Sequence, residues 1–387
     1  MKQIYLDNQA TTPVDPLVFS AMEPCMKDKF GNAASRNHLY GWEAAEMVEI
    51  SRKSVAAIIG AQPREIIFTS GATEANNLAL QGVAKSHQGK DKHIITASTE
   101  HKAILDICDH LEKERFVITR LPVQCDGILD LNKFEESIQE DTFLVSIMHV
   151  NNEIGVIHSI KDIGAICKNK GIIFHVDAAQ SIGKLPVNVD EMGIDLLSIS
   201  AHKIYGPKGI GALYIRRKNP RIQLQPIIFG GGHERGLRSG TLPVSNIVGM
   251  GKACDIAKDV MMEESRKIGS LRDQLLKSIL INNPNIKVNG NMEQRITGNL
   301  NINFPGMKNE AIIAAVPEIA ISSGAACTTS SMEPSHVLMA MGLSKNEAYS
   351  SLRFSIGRFN TKKDIEIASE SMTRCLDKLQ KMSSVLI

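Results

Sequence analysis

The 387-residue chain has little of what marks several large protein classes. It has almost no charge imbalance: 44 Lys and Arg against 42 Asp and Glu leave a net +2. No strong field therefore points to nucleic acid or to an anionic lipid surface. It has no apolar run long enough to span a bilayer. The first residues lack the basic and apolar blocks of a secretory signal, so a soluble, cytoplasmic protein with no membrane partner is expected. Seven cysteines, at positions 25, 108, 125, 167, 254, 327 and 375, form an odd, scattered set without a CxxC pair. That argues against a disulfide framework and against a zinc ribbon. A GxGxxG turn and a Walker loop are both missing, which disfavours a dinucleotide or a nucleoside triphosphate. HExxH is missing too, and His175-x-Asp177 has no third ligand at helical spacing, so no metal is expected. There is no internal repeat and no low-complexity tract.

What is present is core. At 43% hydrophobic, the chain can bury enough surface for two domains. From about residue 43 to 216 helical and strand patterns alternate. Helices are predicted at 42–59, 73–85, 101–113, 131–139 and 159–169. The first of them reads as amphipathic, with Trp42, Ala45, Val48, Val55 and Ile59 near one face. Strands are predicted at 65–70, 93–98, 116–123, 143–150, 171–178, 196–201 and 211–216. Several strands are continuously apolar, as strands covered by helices on both faces should be. The fold class is therefore α/β with a mostly parallel sheet, its last two strands joined by a short loop and antiparallel to each other. A long helix over about 244–281 follows. Beyond it come strands near 299–304, 318–322 and 351–356 and helices near 309–315, 335–341 and 362–382. The expected division is a large domain over 16–255 and a smaller α+β domain made of 1–15 and 256–387.

Chemistry concentrates at strand ends. The run Leu196-Leu-Ser-Ile-Ser-Ala-His202-Lys203 delivers Ser200, His202 and Lys203 to such an end, and the Gly206-Pro-Lys-Gly209 loop stops the chain there. Asp177 ends another apolar run, 26 residues earlier. A lysine and an aspartate so placed fit pyridoxal 5'-phosphate: the amine would form a Schiff base and the carboxylate would keep the ring nitrogen protonated. Phe68-Thr-Ser-Gly71-Ala72-Thr73-Glu74 is a strand, a glycine turn and a helix start. It reads either as a phosphate cradle or as an ordinary N-cap. His101, opening a helix, is either a capping histidine or a group that stacks on a planar cofactor. Arg353, in a strand, could fork onto a carboxylate or form a surface ion pair. Cys327 lies in Ile321-Ser-Ser-Gly-Ala-Ala-Cys327-Thr-Thr-Ser-Ser-Met332, a run of small residues expected to be mobile and to expose the thiol. It reads equally as a nucleophile or as an incidental loop cysteine. The cysteines at 108, 167, 254 and 375 fall in helix-like segments and are expected to be passive.

Together these segments resemble the cysteine desulfurases, pyridoxal-phosphate enzymes of fold type I in the class V aminotransferase group. The similarity runs from about Tyr5 to Leu386. It rests on Tyr5-Leu-Asp-Asn-Gln-Ala-Thr-Thr, Phe68-Thr-Ser-Gly-Ala-Thr-Glu, Thr99-Glu-His-Lys and His149-Val-Asn-Asn-Glu-Ile-Gly. His202-Lys-Ile-Tyr-Gly-Pro-Lys-Gly, Gly230-Gly-Gly-His-Glu-Arg-Gly and Arg238-Ser-Gly-Thr add to it. Ser322-Ser-Gly-Ala-Ala-Cys-Thr is similar to the subclass that supplies iron–sulfur cluster assembly. The resemblance implies that Lys203 holds the cofactor and shuttles protons. Asp177 would pair with the ring nitrogen, Gln180 with the ring hydroxyl, and His101 would stack on the ring. Ala72, Thr73, Ser200 and His202 would hold the phosphate, joined by Thr241 from the neighbouring subunit of a homodimer. Asn152 and Arg353 would bind the carboxylate of L-cysteine. Cys327 would take the sulfur as a persulfide, release L-alanine, and pass the sulfur to an iron–sulfur scaffold or other acceptor proteins.

Three positions depart from the family pattern. Ala33 follows Asn32 where the family usually has proline. The loop reads Gly-Ala-Ala-Cys rather than Gly-Ser-Ala-Cys, which removes one hydroxyl beside the thiol. The chain stops at Ile387, where relatives continue into a tail that helps dock the scaffold. Two other functions use the same features. A selenocysteine lyase would need the cofactor residues without the loop cysteine, and a non-catalytic platform for sulfur-trafficking partners would need only the fold.

Overall fold

The computed structural model describes residues 3–87, 92–323 and 333–385. Among them the strands are β1 (Ile4–Tyr5), β2 (Ile66–Thr69), β3 (His93–Ala97), β4 (Val117–Leu121), β5 (Thr142–Met148), β6 (Ile173–Asp177), β7 (Leu196–Ser200), β8 (Gly211–Ile215), β9 (Lys287–Val288), β10 (Asn299–Asn303), β11 (Ile319–Ala320) and β12 (Ser351–Ser355). The helices are α1 (Pro16–Lys27), α2 (Leu39–Ala57), α3 (Ala72–Ser86), α4 (Lys102–Lys113), α5 (Leu131–Glu136), α6 (Ile160–Lys170), α7 (Val244–Asn282), α8 (Asn309–Ala315), α9 (His336–Ala340), α10 (Lys345–Tyr349) and α11 (Lys362–Val385).

A seven-stranded sheet in the order β2-β8-β7-β6-β5-β3-β4 carries the large core. Strands β3 to β7 pair in parallel, while β8 runs against both of its neighbours, β2 and β7. Alternate residues of each strand enter different clusters, as the two-residue period of a strand requires. Phe68, Val145, Phe174 and Leu197 pack on one face. Ile67, Leu144 and Leu196 pack on the other. Helices cover both faces, which is why these strands read as unbroken apolar runs.

A second core gathers Ile4, Leu6, Leu300, Ile302, Leu352, Phe354 and Met372 around the antiparallel sheet β12-β10-β9. Here β1 lies parallel to β11, so the first residues of the chain join elements more than 300 positions away. Helix α7, 39 residues and about 58 Å long, links the two. Ile247, Met250 and Cys254 serve the large core, and Leu275 and Ile279 the small one.

The short β9 and α10 were not anticipated, and three helices of the first half of the chain also depart from the sequence reading. Helix α1 was not anticipated, because Pro24 interrupts its interior and its apolar Leu17, Phe19 and Met26 point outward. Its start is nonetheless written in the chain: Asp15 caps Leu17 N at 2.9 Å and Pro16 follows at the first helical position. Helix α2 buries Gly41, Ala44, Val48, Ser51, Arg52, Val55 and Ala56, whereas Trp42 is 56% exposed. Finally, α5 ends at Glu136, where Ser137 closes it by donating to Phe134 O, rather than at residue 139.

Candidate active site

A cavity of about 510 Å³ opens where the carboxyl ends of β6 and β7, the start of α3 and the segment after β1 converge. Strands β6 and β7 are neighbours, so the groups that end them face one space. This is the crevice at strand ends where open α/β sheets place their ligands.

The turn before α3 is built from glycine. Gly71 has φ +157°, a conformation closed to residues with a side chain. A Cβ on Gly211 of β8 would lie 2.6 Å from Gly71 Cα, so the second glycine lets strand and turn touch. Ala72 and Thr73 then begin α3 and line the cavity, with backbone N–H groups that have no helical partner. Glu74 accepts from Ser70 N at 2.8 Å and from Arg238 Nε at 2.8 Å. Burial works to raise its pKa, but these bonds outweigh it and hold the carboxyl below its usual range.

Asp177 is 6% exposed and held at both oxygens. Oδ2 accepts from Asn76 Nδ2 at 2.8 Å, and Oδ1 from Ala179 N at 2.9 Å. His175, two residues earlier on β6, is engaged by the hydroxyls of Ser146 and Ser198 at 2.9 and 3.0 Å. Burial lowers its pKa to about 4, so the ring is neutral and committed to its neighbours.

Ser200 ends β7, and the single 3-10 turn Ala201–Lys203 swings Lys203 into the cavity. Its Nζ donates to Gln9 O at 2.5 Å and Ala10 O at 2.7 Å. His202 sits 3.0 Å from Thr11 Oγ1. Burial first, then the charges of Lys203, Lys208 and Lys184, lower its pKa to about 4. Gln180 Nε2 donates to Gln9 O at 2.9 Å.

His101 caps α4, its Nδ1 accepting from Ala103 N at 3.1 Å, and also lines the cavity. It is thus both the capping histidine and a cavity residue. Arg353, only 2% exposed on β12, donates to Asn152 O and to Asp7 Oδ1, each at 2.7 Å. Asn152 and Arg353 therefore stand together on the cavity wall.

Ala72, Thr73, His101, Asn152, Asp177, Gln180, Ser200, His202, Lys203 and Arg353 all line this one cavity. Thr241 does not: it is exposed at the end of the glycine-rich loop. Cys327 lies outside the described residues. Of the described residues on either side of it, His336 lines the cavity, and Ser322 and Ser335 bond to residues that line it. Ser322 exchanges backbone hydrogen bonds with Arg353, at 2.7 and 3.2 Å, while on the far side Ser335 bonds Glu153 and His336 bonds Glu100 O at 2.9 Å.

Several cavity residues were given no role from the sequence. Gln9, Ala10 and Thr11 arrive because β1 and its successor cross to the small core; they lie in the Tyr5–Thr12 segment that carries part of the family resemblance, which gave them no individual role. Asn76 lies one helical turn after Thr73 and reaches Asp177. Glu100, beside His101 but not itself on the cavity wall, is fully buried. Burial, and less so the nearby Asp177 charge, pushes its carboxyl well above the usual range, though Met148 N donates to it at 2.7 Å.

Comparison with known proteins agrees with this geometry. The model of the aminotransferase class-V family matches residues 4–367. The cysteine desulfurase IscS of Shewanella woodyi is 56% identical over 98% of this chain and 94% of its own length. The IscS of Shewanella oneidensis is 55% identical over the same shares. Among solved structures, a NifS-like protein aligns over 97% of this chain and 99% of its own, with TM-score 0.91 and 35% identity. A second, described as SspA in complex with cysteine, aligns over 92% of this chain and all of its own, at TM-score 0.82 and 39% identity. The chain belongs to the class-V aminotransferase family, of pyridoxal-phosphate-dependent enzymes with the type I fold. Within that family it stands with the cysteine desulfurases.

The residues present fit the cofactor. Helix α3 offers free N–H groups and the Thr73 hydroxyl for an anionic phosphate. The carboxylate of Asp177 is pinned by two donors at the floor, and an amine stands on the adjacent strand end.

Proposed function

We propose that the chain is a cysteine desulfurase that converts L-cysteine to L-alanine and leaves a persulfide on Cys327. One observation carries the reading: Lys203 and Asp177, at the ends of adjacent strands, face the same cavity as the start of α3. In the reaction the C–S bond of the substrate breaks, an S–S bond to Cys327 forms, and the former sulfur-bearing carbon gains a proton. The balance is cysteine plus thiol giving alanine plus persulfide, with no outside oxidant or reductant. Pyridoxal phosphate, when bound, supplies the electron sink that makes the α-proton removable and the sulfur electrophilic toward a thiolate.

The chain's own residues do the rest. Lys203 anchors the cofactor, and its Nζ, already surrounded by carbonyl acceptors, carries protons to and from the substrate carbons. Asp177 keeps the ring nitrogen protonated. Ala72, Thr73, Ser200 and His202 hold the phosphate, and His101 covers the ring. Arg353, aimed by Asp7 and Asn152, takes the substrate carboxylate.

The working unit in this reading is a homodimer, with Thr241 completing the phosphate site of the partner subunit. Supporting it, one chain alone leaves Leu17, Phe19, Met26, Leu39, Tyr40 and Trp42 exposed, too much apolar surface on α1 and α2 for an isolated subunit. The division into 16–255 and 1–15 with 256–387 belongs to the same reading, supported by the two separate cores. The persulfide is then handed to sulfur acceptors, among them an iron–sulfur scaffold. No helix of the described residues is long and apolar enough to cross a membrane, and cytoplasmic work fits that.

The test is intact and peptide mass after exposure to L-cysteine without reductant. An added sulfur on the Cys327 peptide, with alanine formed, is the expected result. Bound cofactor with an unmodified Cys327 and no alanine would move the reading to a selenocysteine lyase.

A further inference from the structure

Behind the main cavity lies a smaller one of about 50 Å³, lined by Lys184 together with Gln9, Lys203, Tyr205, Glu264 and Arg358. Lys184 has no part in the chemistry above. It is half-buried, and its Nζ donates to Gln180 Oε1 at 3.0 Å. Burial first, then the charges of Lys203 and Arg353, lower its pKa to about 7. An inward lysine is costly to keep unless its hydrogen bonds serve a purpose.

The purpose lies in the geometry of an amide. A glutamine carboxamide has an acceptor end and a donor end, and only its neighbours decide which way it faces. The Lys184 ammonium is a donor only, and it donates to the oxygen end of Gln180. On the opposite side Gln180 Nε2 meets Gln9 O, an obligate acceptor, at 2.9 Å. That same carbonyl receives Lys203 Nζ at 2.5 Å. Two independent neighbours thus impose one orientation, with the N–H end of Gln180 turned to the wall that carries the reactive lysine.

We propose that Lys184 is a positioning residue, locking the carboxamide of Gln180 so that it offers an N–H, not an oxygen, to the ring hydroxyl of pyridoxal phosphate. The proposal rests on the reading of the main cavity as the cofactor site. Without Lys184 the amide can turn over and the hydroxyl loses its donor.

The test is a double-mutant cycle on cofactor affinity, measured by equilibrium dialysis of apoprotein with pyridoxal phosphate, with visible circular dichroism of the bound ring as a second readout. Lys184→Met and Gln180→Ala should each weaken binding about tenfold and reduce the visible dichroism. The double variant should bind within about twofold of Gln180→Ala alone, because coupled residues are not additive. Lys184→Arg, which keeps a donor, should restore most of the affinity. Apoprotein melting curves identify a variant that fails to fold, and Lys184→Leu then takes its place in the cycle. Losses that multiply in the double variant overturn the proposal, as does a Lys184→Met protein that binds like wild type while Gln180→Ala is weakened. A wild-type protein that takes up no cofactor would instead overturn the cofactor site itself, and this proposal with it.

Discussion

Arg353 and Asp7 are bound to each other across the two ends of the chain: Nη2 of one lies 2.7 Å from Oδ1 of the other. The arginine is on β12 and the aspartate just beyond β1, and both strands belong to the small core. The partner charge offsets the cost of burying a guanidinium that is only 2% exposed. With Asn152 O on Nη1, the planar fork is fixed where a substrate carboxylate would meet it.

Arg353→Lys should therefore lower kcat/KM for L-cysteine about a hundredfold, mainly through KM, since a point charge cannot reproduce a fixed fork. Asp7→Asn keeps a polar partner but removes its charge, and should cost about three- to tenfold by the same measure. Steady-state kinetics decide it. An unchanged KM in Arg353→Lys places the carboxylate elsewhere.

The glycine-rich loop before Thr241 is tied down by a buried ion pair. Arg52 Nη1 and Nη2 each meet a Glu234 oxygen at 2.8 Å, and Phe68 N donates to Glu234 Oε2 at 2.7 Å. Glu234 and Arg235 hold positive φ, 48° and 60°, which the pair and its neighbours must sustain. Glu234→Gln leaves the buried Arg52 with only Glu49, a more exposed carboxylate 2.9 Å from its Nε, as a partner charge, and should cost about 3 kcal/mol of stability. Arg52→Met with Glu234→Gln should cost less than the sum of the two single changes. Urea unfolding of the four proteins checks this, and strict additivity would falsify the coupling.

A Cβ on Gly211 would sit 2.4 Å from Ile199 O and 2.6 Å from Gly71 Cα, all backbone atoms that cannot step aside. Gly211→Ala should cost about 1–3 kcal/mol and displace the turn that starts α3. Dialysis against pyridoxal phosphate should show weakened cofactor binding at a temperature where the fold is intact. If stability falls and cofactor affinity does not, the turn is packing alone.

Much of this was legible in the chain. The large sheet announced itself because strands buried on both faces are largely apolar, and Asp177 and Lys203 stand out as the first carboxylate and the first amine to follow those runs. Residues that arrive from afar were not legible. Gln9 meets Lys203 across 194 positions, and no local period encodes such a contact. Trp42 was misplaced for another physical reason: helical periodicity locates an apolar stripe but not what covers it, and α2 has apolar residues both on its buried face and outside it. Glu100 escaped notice because a lone glutamate beside a helix start reads as solvated, whereas here it is enclosed.

His149 and His158 should contribute to the acid sensitivity of the fold. They lie behind the cavity wall: His149 N donates to Asp177 O at 3.0 Å, and His158 N to His149 O at 3.0 Å. Among the described residues, neither ring nitrogen of His158, nor Nδ1 of His149, has a hydrogen-bond partner. Burial lowers both pKa values to about 4, and at His149 the charge of His158 adds to the shift. In the unfolded chain a histidine titrates near 6.5. Between those values the unfolded state binds more protons than the native one, so stability falls as pH drops. The contribution is complete above about pH 6.5 and is lost as pH falls toward 4. Each such histidine adds about 1.4 kcal/mol per pH unit within that window. Urea midpoints of the apoprotein should decline steadily below pH 6.5, beneath the window from pH 10.5 to 7 in which the lowered pKa of Lys184 already reduces stability as pH falls. His158→Gln, neutral at every pH, should make that decline shallower by about one histidine's share. An identical decline in both proteins would assign the acid sensitivity to other groups, His175 and His202 first among them, since burial holds these also at about 4.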